Sequence, residues 1–287
     1  MKNEIKLGII LVILATLCFG IMDGVSRYLA EEYNVFIINM YRSWVLVLFV
    51  LIYSIKKGGI KHVSSSKKPL IQIIRGILLI SCVCIGVYSF TVLGLVAAHT
   101  IIAIYPLLVL PLSYYFSNEK IGWRRWSAVF IGFFGIMIIL NPISMSFDFN
   151  MLWPLLLACL LAIYSILTRN ISAYDNSETS FFWVAIVGGV VMTIIGPFFF
   201  ELLGLKDIPW FLLLCFLSTC GHFLFIKALE TAQASILQPF IYLQLFFASI
   251  IGILVFNDLL TLNLIFGGIL IIGSGIFALV RTHNVQN

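Results

Sequence analysis

The sequence predicts an all-α transmembrane protein of ten helices. Composition, the lengths of the apolar runs and the placement of the basic residues lead to that prediction. Of the 287 residues, 62% are hydrophobic and only 10% are charged. The mean hydropathy of +1.12 is well outside the range of soluble domains. Such a composition is typical of a polytopic membrane protein, so the lipid bilayer is its first predicted partner.

Ten apolar runs are each long enough, at roughly 20 residues, to cross the hydrocarbon of a bilayer as a helix. They lie near residues 7–28, 36–55, 71–91, 97–116, 123–141, 151–168, 179–200, 210–226, 234–256 and 262–280. The longest stretch between them, residues 56–70, is too short to fold as a domain. The sequence therefore leaves no room for a soluble catalytic domain or a nucleic-acid-binding domain, and no nucleic-acid partner is expected.

Most lysines and arginines fall on one side of the predicted helices, and this asymmetry predicts the orientation of the chain. On the favoured side are Lys2, Lys6, Lys56, Lys57, Lys61, Lys67, Lys68, Arg75, Lys120, Arg124, Arg125, Arg169, Lys227 and Arg281. The opposite side has only Arg27 and Lys206. Because basic residues collect in cytoplasmic loops, both termini are predicted to be cytoplasmic, in a multi-pass protein of the cytoplasmic (inner) membrane.

Two similar segments, residues 115–135 and 255–275, predict an internal repeat. Each has an asparagine and an acid at the end of one helix, followed by a helix that contains several glycines. Five helices in each repeat is an odd number, so the second repeat begins on the opposite side of the membrane and is inverted. We therefore expect a first five-helix repeat over residues 1–143 and a second over residues 150–287.

Common catalytic signatures are missing, and the chain is not expected to be an enzyme. The sequence has no HExxH, GxSxG or GxxxxGK[ST] motif. His99 and His222 are far apart in the sequence, so they favour packing roles over metal binding, and neither a metal nor a cofactor is predicted. An intramembrane enzyme is the less favoured alternative, because the sequence offers no second carboxylate and no nucleophile with its base at the depth of Asp23.

The stretch CFGIMDGVSR, residues 18–27, places Asp23 in a helix that is otherwise apolar. An unpaired charge in hydrocarbon costs from about 2.5 kcal/mol upward, so Asp23 needs a partner or a role. Asp23 and Arg42 lie at similar predicted depths on sequential antiparallel helices, which allows an ion pair. A structural Asp23–Arg42 pair and a substrate- or proton-binding Asp23, with His99 as a second proton carrier, both remain open. Gly20 and Gly24 form a GxxxG pattern that favours close packing of this helix.

Residues 75–142 and 221–258 resemble the ten-helix EamA family of the drug/metabolite transporter superfamily. The first half has the residues that this family's repeat expects: Pro106, Glu119, Trp126, Gly132 and Gly135. The segment GHFLFIKALETAQASILQPFIYLQLFFASIIGILVFND and the earlier MDGVSR are similar to a branch that includes bacterial S-adenosylmethionine and riboflavin importers. Two positions depart from the family pattern, since Leu245 stands where proline is frequent and Asp258 replaces the usual glutamate.

The resemblance implies a secondary active or exchange transporter that moves a small organic metabolite across the cytoplasmic membrane by alternating access. S-adenosylmethionine, riboflavin and an amino-acid-like solute are the substrates that it suggests. The alternative within the same fold is a drug or metabolite exporter. The resemblance also implies that the protein is a monomer or a homodimer.

Prolines in the fourth helix of each half, Pro106 and Pro239, predict a substrate site near the membrane midplane, because interrupted helices in equivalent positions mark such sites. Around them lie Tyr105, Gln238, Tyr242 and Gln244, with His99 and His222 further out. The resemblance adds Tyr88, Tyr164 and Ser165, on helices that line the family's central cavity. Each group taken alone is equally well explained by bonding to a neighbouring helix. Together they indicate a site for a neutral or zwitterionic organic molecule with a ring or a cation.

Overall fold

The computed structural model describes residues 2–56, 58–117, 123–141, 148–232 and 234–280, and within these ranges the chain is helical with no strand. The α-helices are α1 (Lys2–Ala30), α2 (Val35–Lys56), α3 (Ile60–Ser64), α4 (Pro69–Leu93), α5 (Leu95–Ile102), α6 (Tyr105–Ser117), α7 (Trp123–Leu140), α8 (Leu152–Ile171), α9 (Ser177–Ile195), α10 (Ile208–Thr231), α11 (Ala234–Phe256) and α12 (Leu262–Val280). Apart from the short α3 and the division of one predicted helix into α5 and α6, these elements follow the ten apolar runs.

Among the described residues, seven helical segments are long and apolar enough to cross a membrane. They are Glu4–Ala30, Val35–Lys56, Pro69–Leu93, Leu95–Leu112, Phe149–Ile171, Ser177–Phe199 and Leu205–Thr231. Three further apolar helices are shorter over the residues that the structure describes, namely Trp126–Leu140, Phe240–Phe256 and Leu262–Ser274. The prediction of an all-helical, multi-pass membrane protein is confirmed, while a total of ten crossings stays a prediction.

The predicted fourth helix is interrupted at membrane depth, as the proline at position 106 led us to expect. Helix α5 ends at Ile102, and α6 begins at Tyr105. Pro106 has no N–H, so it cannot donate to the carbonyl of Ile102 as an uninterrupted helix would require. The turn is instead closed by bonds from the Ala103 N–H to the His99 carbonyl and from the Leu107 N–H to the Ile104 carbonyl, each 2.9 Å.

The expectation of a matching interruption in the second half is wrong for the backbone. Helix α11 runs without a break from Ala234 to Phe256 and passes through position 239. That position lies close to the start of α11, where the loss of one N–H donor disturbs fewer helical bonds than it does in the middle of a span. The side chain of Pro239 lies outside the described part of the chain.

Helices of the first half pack mainly against helices of the second half, in a pattern that is similar in the two halves. Helix α1 packs against α10 and α11, and α8 packs correspondingly against α4 and α6. Helix α2 pairs with α9, and α7 pairs with α12. The contacts of α1 with α10 and α11 therefore correspond to the contacts of α8 with α4 and α6. The α2–α9 and α7–α12 pairs each join helices that occupy the same position in the two halves. The packing therefore agrees with two related halves.

The GxxxG pattern of α1 allows this helix to lie directly against α11. A Cβ atom built on Gly20 would lie 2.6 Å from the Cβ of Phe247, and one built on Gly24 would lie 2.6 Å from the Cγ2 of Ile251. Real side-chain atoms do not approach so closely, so only glycine fits at this contact. The predicted close approach of the first helix is confirmed, and its partner is α11 rather than the following helix α2.

Asp258, in the connection between α11 and α12, joins the ends of three segments. Its Oδ1 accepts a hydrogen bond from Arg27 at 2.6 Å, and its Oδ2 accepts bonds from the N–H groups of Leu95 at 2.7 Å and Val96 at 3.1 Å. These N–H groups begin α5 and have no helical partner of their own. Gly94 precedes them with a φ of +81°, a conformation that favours glycine. Asp258 thereby neutralises Arg27 and caps α5.

We expect Gly20→Ala to destabilise the protein, because the added methyl group has to separate α1 from α11. Overpacking of this kind costs about 1–3 kcal/mol, and the melting temperature of the purified protein in detergent measures it. The matched control is Gly273→Ala in α12, where a Cβ meets no atom within 4 Å. The control should leave the melting temperature unchanged or raise it slightly. Equal losses in both variants would contradict the close α1–α11 contact.

Candidate binding cavity

A cavity lies in the middle of the bundle, and helices from both halves form its walls. Its polar and aromatic lining consists of Thr16, Phe19, Asp23, Arg42, Phe90, His99, Tyr105, Tyr164, His222, Phe225, Tyr242 and Gln244. It leaves about 130 Å³ of room for the centres of water-sized molecules. A single water needs only about 10–15 Å³ on this measure, so the cavity has room for a small organic molecule.

Asp23 is held in the cavity wall by groups from two other helices. Gln244 of α11 donates a hydrogen bond from Nε2 to Asp23 Oδ2 at 2.9 Å. His99 of α5 brings its Nε2 to 3.1 Å from the same oxygen, at ion-pair distance but without the alignment of a hydrogen bond. No donor among the described residues reaches the other oxygen, Oδ1. The carboxylate is therefore buried but only partly satisfied.

The predicted direct ion pair between Asp23 and Arg42 is wrong. Arg42 lines the same cavity and is only 5% exposed, yet it forms no hydrogen bond or ion pair with any residue that the structure describes. The reason lies in the packing, because α1 lies against α10 and α11, whereas α2 lies against α9. Helices α1 and α2 make only a small contact with each other, so the two charges share a cavity without touching.

Two tyrosine hydroxyl groups also lack partners in the cavity wall. The hydroxyls of Tyr164 on α8 and Tyr242 on α11 are buried, and neither forms a hydrogen bond with a described residue. Buried polar groups without partners cost free energy, which makes them frequent points of ligand contact. Tyr105 differs from them, because its hydroxyl accepts a bond from Ser165 at 3.3 Å.

Aromatic rings form part of the remaining cavity wall, beside aliphatic side chains such as Leu79 and Leu161. The His99 ring stacks on Phe90 with a centroid distance of 4.9 Å and an interplanar angle of 17°. The Phe19 ring lies 5.0 Å from the His222 ring and 6.1 Å from the Phe225 ring. Faces of this kind accommodate flat rings and organic cations. The cavity therefore offers a carboxylate, a guanidinium and aromatic surface to one ligand.

Two predicted site residues, Tyr88 and Ser165, do not line the cavity. Tyr88 is 41% exposed and packs its ring edge-on against Trp153 at 5.5 Å, because this face of α4 points away from the bundle centre. Ser165 lies behind Tyr105 and contacts it instead of the cavity. Gln238 is on α11, but its side chain falls outside the described part of the structure. The other predicted residues, Asp23, Arg42, His99, Tyr105, Tyr164, His222, Tyr242 and Gln244, all line the cavity.

A buried polar network behind Tyr164 was not predicted. Arg75 is fully buried, donates from Nε to Thr168 Oγ1 at 3.0 Å and hydrogen-bonds Gln72 through a second nitrogen. Gln72 in turn donates to Asp175 Oδ2 at 2.8 Å. The guanidinium carbon of Arg75 lies 5.4 Å from the centre of the Tyr164 ring. The sequence analysis used Arg75 only as one of the basic residues that predict the cytoplasmic side. In the fold, Arg75 packs behind Tyr164, which lines the cavity.

Phe19 and Phe90 were also missed, because aromatic residues in apolar helices give no distinct pattern. Their contacts with His222 and His99 are visible only once the helices are packed. Over the residues that the structure describes, no group of three His, Cys, Asp or Glu side chains is arranged to hold a metal ion.

Membrane-spanning helices from two related halves surround a mostly apolar cavity with a few charged and polar groups, an architecture that is typical of transporters made from internal repeats. The sequence matches the EamA-like transporter family over residues 6–141 and 149–280. The chain belongs to this family.

Comparison with individual proteins gives the same fold and class. The chain is 28% identical over 268 residues to an S-adenosylmethionine uptake transporter of Rickettsia bellii, covering 89% of this chain and 87% of that protein. It is 32% identical over 149 residues to a riboflavin transporter of Vibrio cholerae, covering 49% and 47% of the two chains. A solved crystal structure covers 100% of both chains with a TM-score of 0.69 at 11% identity, which shows the fold alone.

We expect Asp23 and Gln244 to be energetically coupled. Asp23→Asn and Gln244→Leu should each lower the melting temperature, and the double variant should lose less than the sum, with a coupling of about 0.5–3 kcal/mol. In the wild type, Gln244→Leu removes a hydrogen bond to a charged carboxylate. In the Asp23→Asn background that charge is already absent, so the same change should cost less. Asp23→Asn combined with Tyr88→Phe is the control and should be additive. Additive losses for Asp23 and Gln244 would show that their contact does not stabilise the protein.

Proposed function

We propose that the protein moves a small organic metabolite across the cytoplasmic membrane by alternating access, as a secondary active or exchange transporter. The central cavity is the proposed binding site. One observation carries the proposal, namely that Asp23 and Arg42 line the same cavity without contacting each other. Ionisable side chains within membrane-spanning helices are expensive to bury, and they often mark transport pathways. A ligand with charges of both signs would supply the missing partners.

The proposed substrate carries a cationic group, a carboxylate and a ring. Asp23 Oδ1 faces the cation, Arg42 binds the carboxylate, and the aromatic wall around Phe19 and Phe90 packs against the ring. The hydroxyls of Tyr164 and Tyr242 take the remaining polar contacts. S-adenosylmethionine has this combination in its sulfonium, amino-acid and adenine groups. The name of the rickettsial relative supports it as the first candidate, and riboflavin and an amino-acid-like solute are the next ones to test.

The proposed topology has ten crossings, with inverted repeats over residues 1–143 and 150–287 and with both termini in the cytoplasm. Helix packing between the halves supports this arrangement, because a twofold relation of this kind brings equivalent helices together around one central site. During the cycle one helix bundle rocks against the other and opens the cavity to each side in turn. The same geometry serves import and export, and the direction follows from the gradients.

A reporter fused after Asn287 should be cytoplasmic, whereas one inserted beside Asp148 should be external. The reason is that ten crossings separate the two termini, and an odd number, five, separates the start of the chain from Asp148. Paired alkaline phosphatase and green fluorescent protein fusions measure the side of each site. Location of both sites on the same side of the membrane would contradict the ten-helix topology.

Tyr164→Phe and Tyr242→Phe should each weaken S-adenosylmethionine binding about two- to tenfold, since each removes one neutral hydrogen bond of about 0.5–1.5 kcal/mol. Arg42→Gln should weaken it more, about tenfold or beyond, because bonds to charged groups are stronger. Equilibrium binding of the labelled compound to purified protein measures these changes.

Tyr88→Phe is the matched control for that experiment, because it also removes a tyrosine hydroxyl but at an exposed position outside the cavity. It should leave the affinity unchanged. Wild-type affinity in both cavity variants would move the site elsewhere. Absence of binding by S-adenosylmethionine, riboflavin and amino acids in the same assay would contradict the proposed substrate class.

A further inference from the structure

We infer that Asp23 and His99 form a proton-binding pair, and that proton occupancy of this pair excludes the cationic group of the substrate. The inference rests on the proposed function, since it gives the central cavity a second ligand, the proton. It assigns to the protein an exchange of one proton for one substrate cation across the membrane.

The geometry of the pair is the first observation. Asp23 Oδ2 and His99 Nε2 are 3.1 Å apart, and the exposed fractions of the two side chains are 6% and 3%. Nε2 finds no hydrogen-bond partner in the described structure, although it is fully buried. A carboxylate and an imidazole at this distance compete for or share a proton, and histidine changes its charge within the physiological pH range.

The second observation is that few charged groups line the cavity around Asp23 and His99. Groups that titrate or carry charge around the cavity are Arg42 on α2, Cys82 on α4, Tyr105 on α6, Tyr164 on α8, His222 on α10 and Tyr242 on α11. Arg42 is the only fixed cation in this set. Gln244, which donates to Asp23, is neutral at every pH. The charge of the cavity is therefore set by Asp23, Arg42 and the protons on the histidines.

The charge balance makes the two ligands exclusive. With His99 neutral, the negative charge of Asp23 and the positive charge of Arg42 sum to zero. One proton added to the pair gives a net charge of +1. S-adenosylmethionine brings the same change, because its sulfonium, ammonium and carboxylate groups sum to +1. Both together would leave +2 in a low-dielectric cavity, which is strongly disfavoured. Binding of the cation therefore sends the proton from the pair to the water on the open side of the cavity.

The direct experiment measures proton release on binding. Purified wild-type protein in weakly buffered detergent, with a pH-sensitive dye, should release close to one proton for each S-adenosylmethionine bound at mildly acidic pH. The affinity should fall as the pH falls. Asp23→Asn and His99→Gln should each abolish the release and flatten the pH dependence. His62→Gln, a change in an exposed histidine on α3, is the matched control and should keep both.

A second experiment needs no substrate, so it separates this inference from the proposed function. In protein labelled with ¹⁵N-histidine, the His99 signals, identified by their loss in His99→Gln, should change on acidification. Asp23→Asn should remove that change, whereas the His62 signals should respond equally in both proteins. If S-adenosylmethionine fails to bind but the His99 response depends on Asp23, the proton site stands and the substrate assignment falls.

Either of two results would overturn the inference. One is a His99 signal that does not respond to pH, or that responds identically in Asp23→Asn. The other is S-adenosylmethionine binding that releases no proton in the wild type, or that releases the same number in Asp23→Asn.

In liposomes, an outward proton gradient should drive uptake of the labelled compound in the wild type and not in Asp23→Asn.

Discussion

The structure depends on one constraint, which is that a carboxylate placed in hydrocarbon has to be satisfied by the protein itself. Asp23 meets this constraint through Gln244 on α11 and His99 on α5 rather than through the nearest basic residues in the sequence. The three helices thus converge on one buried charge. The contact is incomplete, because both groups approach the same oxygen, Oδ2, and this leaves Oδ1 available to the substrate that we propose.

Two local features of the sequence bring these helices together. The glycines of α1 bring its backbone against α11 and place Gln244 within reach of Asp23. The interruption before Pro106 ends α5 soon after His99 and restarts the chain at Tyr105, so both side chains reach the cavity. Asp258 holds the other end of α5 and binds Arg27, which removes the second arginine of this region from competition for Asp23. The residues that hold these helices together therefore also place the polar side chains of the cavity.

The sequence predicted what depends on local pattern. Apolar runs located the helices, the GxxxG pattern indicated a close contact, and Pro106 marked the interruption that the structure contains. Partners across the bundle were not predictable, because Asp23 and Gln244 are 221 residues apart and one sequence does not show which helices pack together. For the same reason the expected Asp23–Arg42 pair was wrong, and the burial of Arg75 was missed.

A cryo-electron microscopy structure of the protein in lipid nanodiscs with saturating S-adenosylmethionine would show directly where the compound binds. We expect ligand density in the central cavity, with the sulfonium beside Asp23, the carboxylate on Arg42 and the adenine against Phe19 or Phe90. Density at a different place, or an empty cavity while the compound is bound in solution, would contradict the claim that this cavity is the transport site.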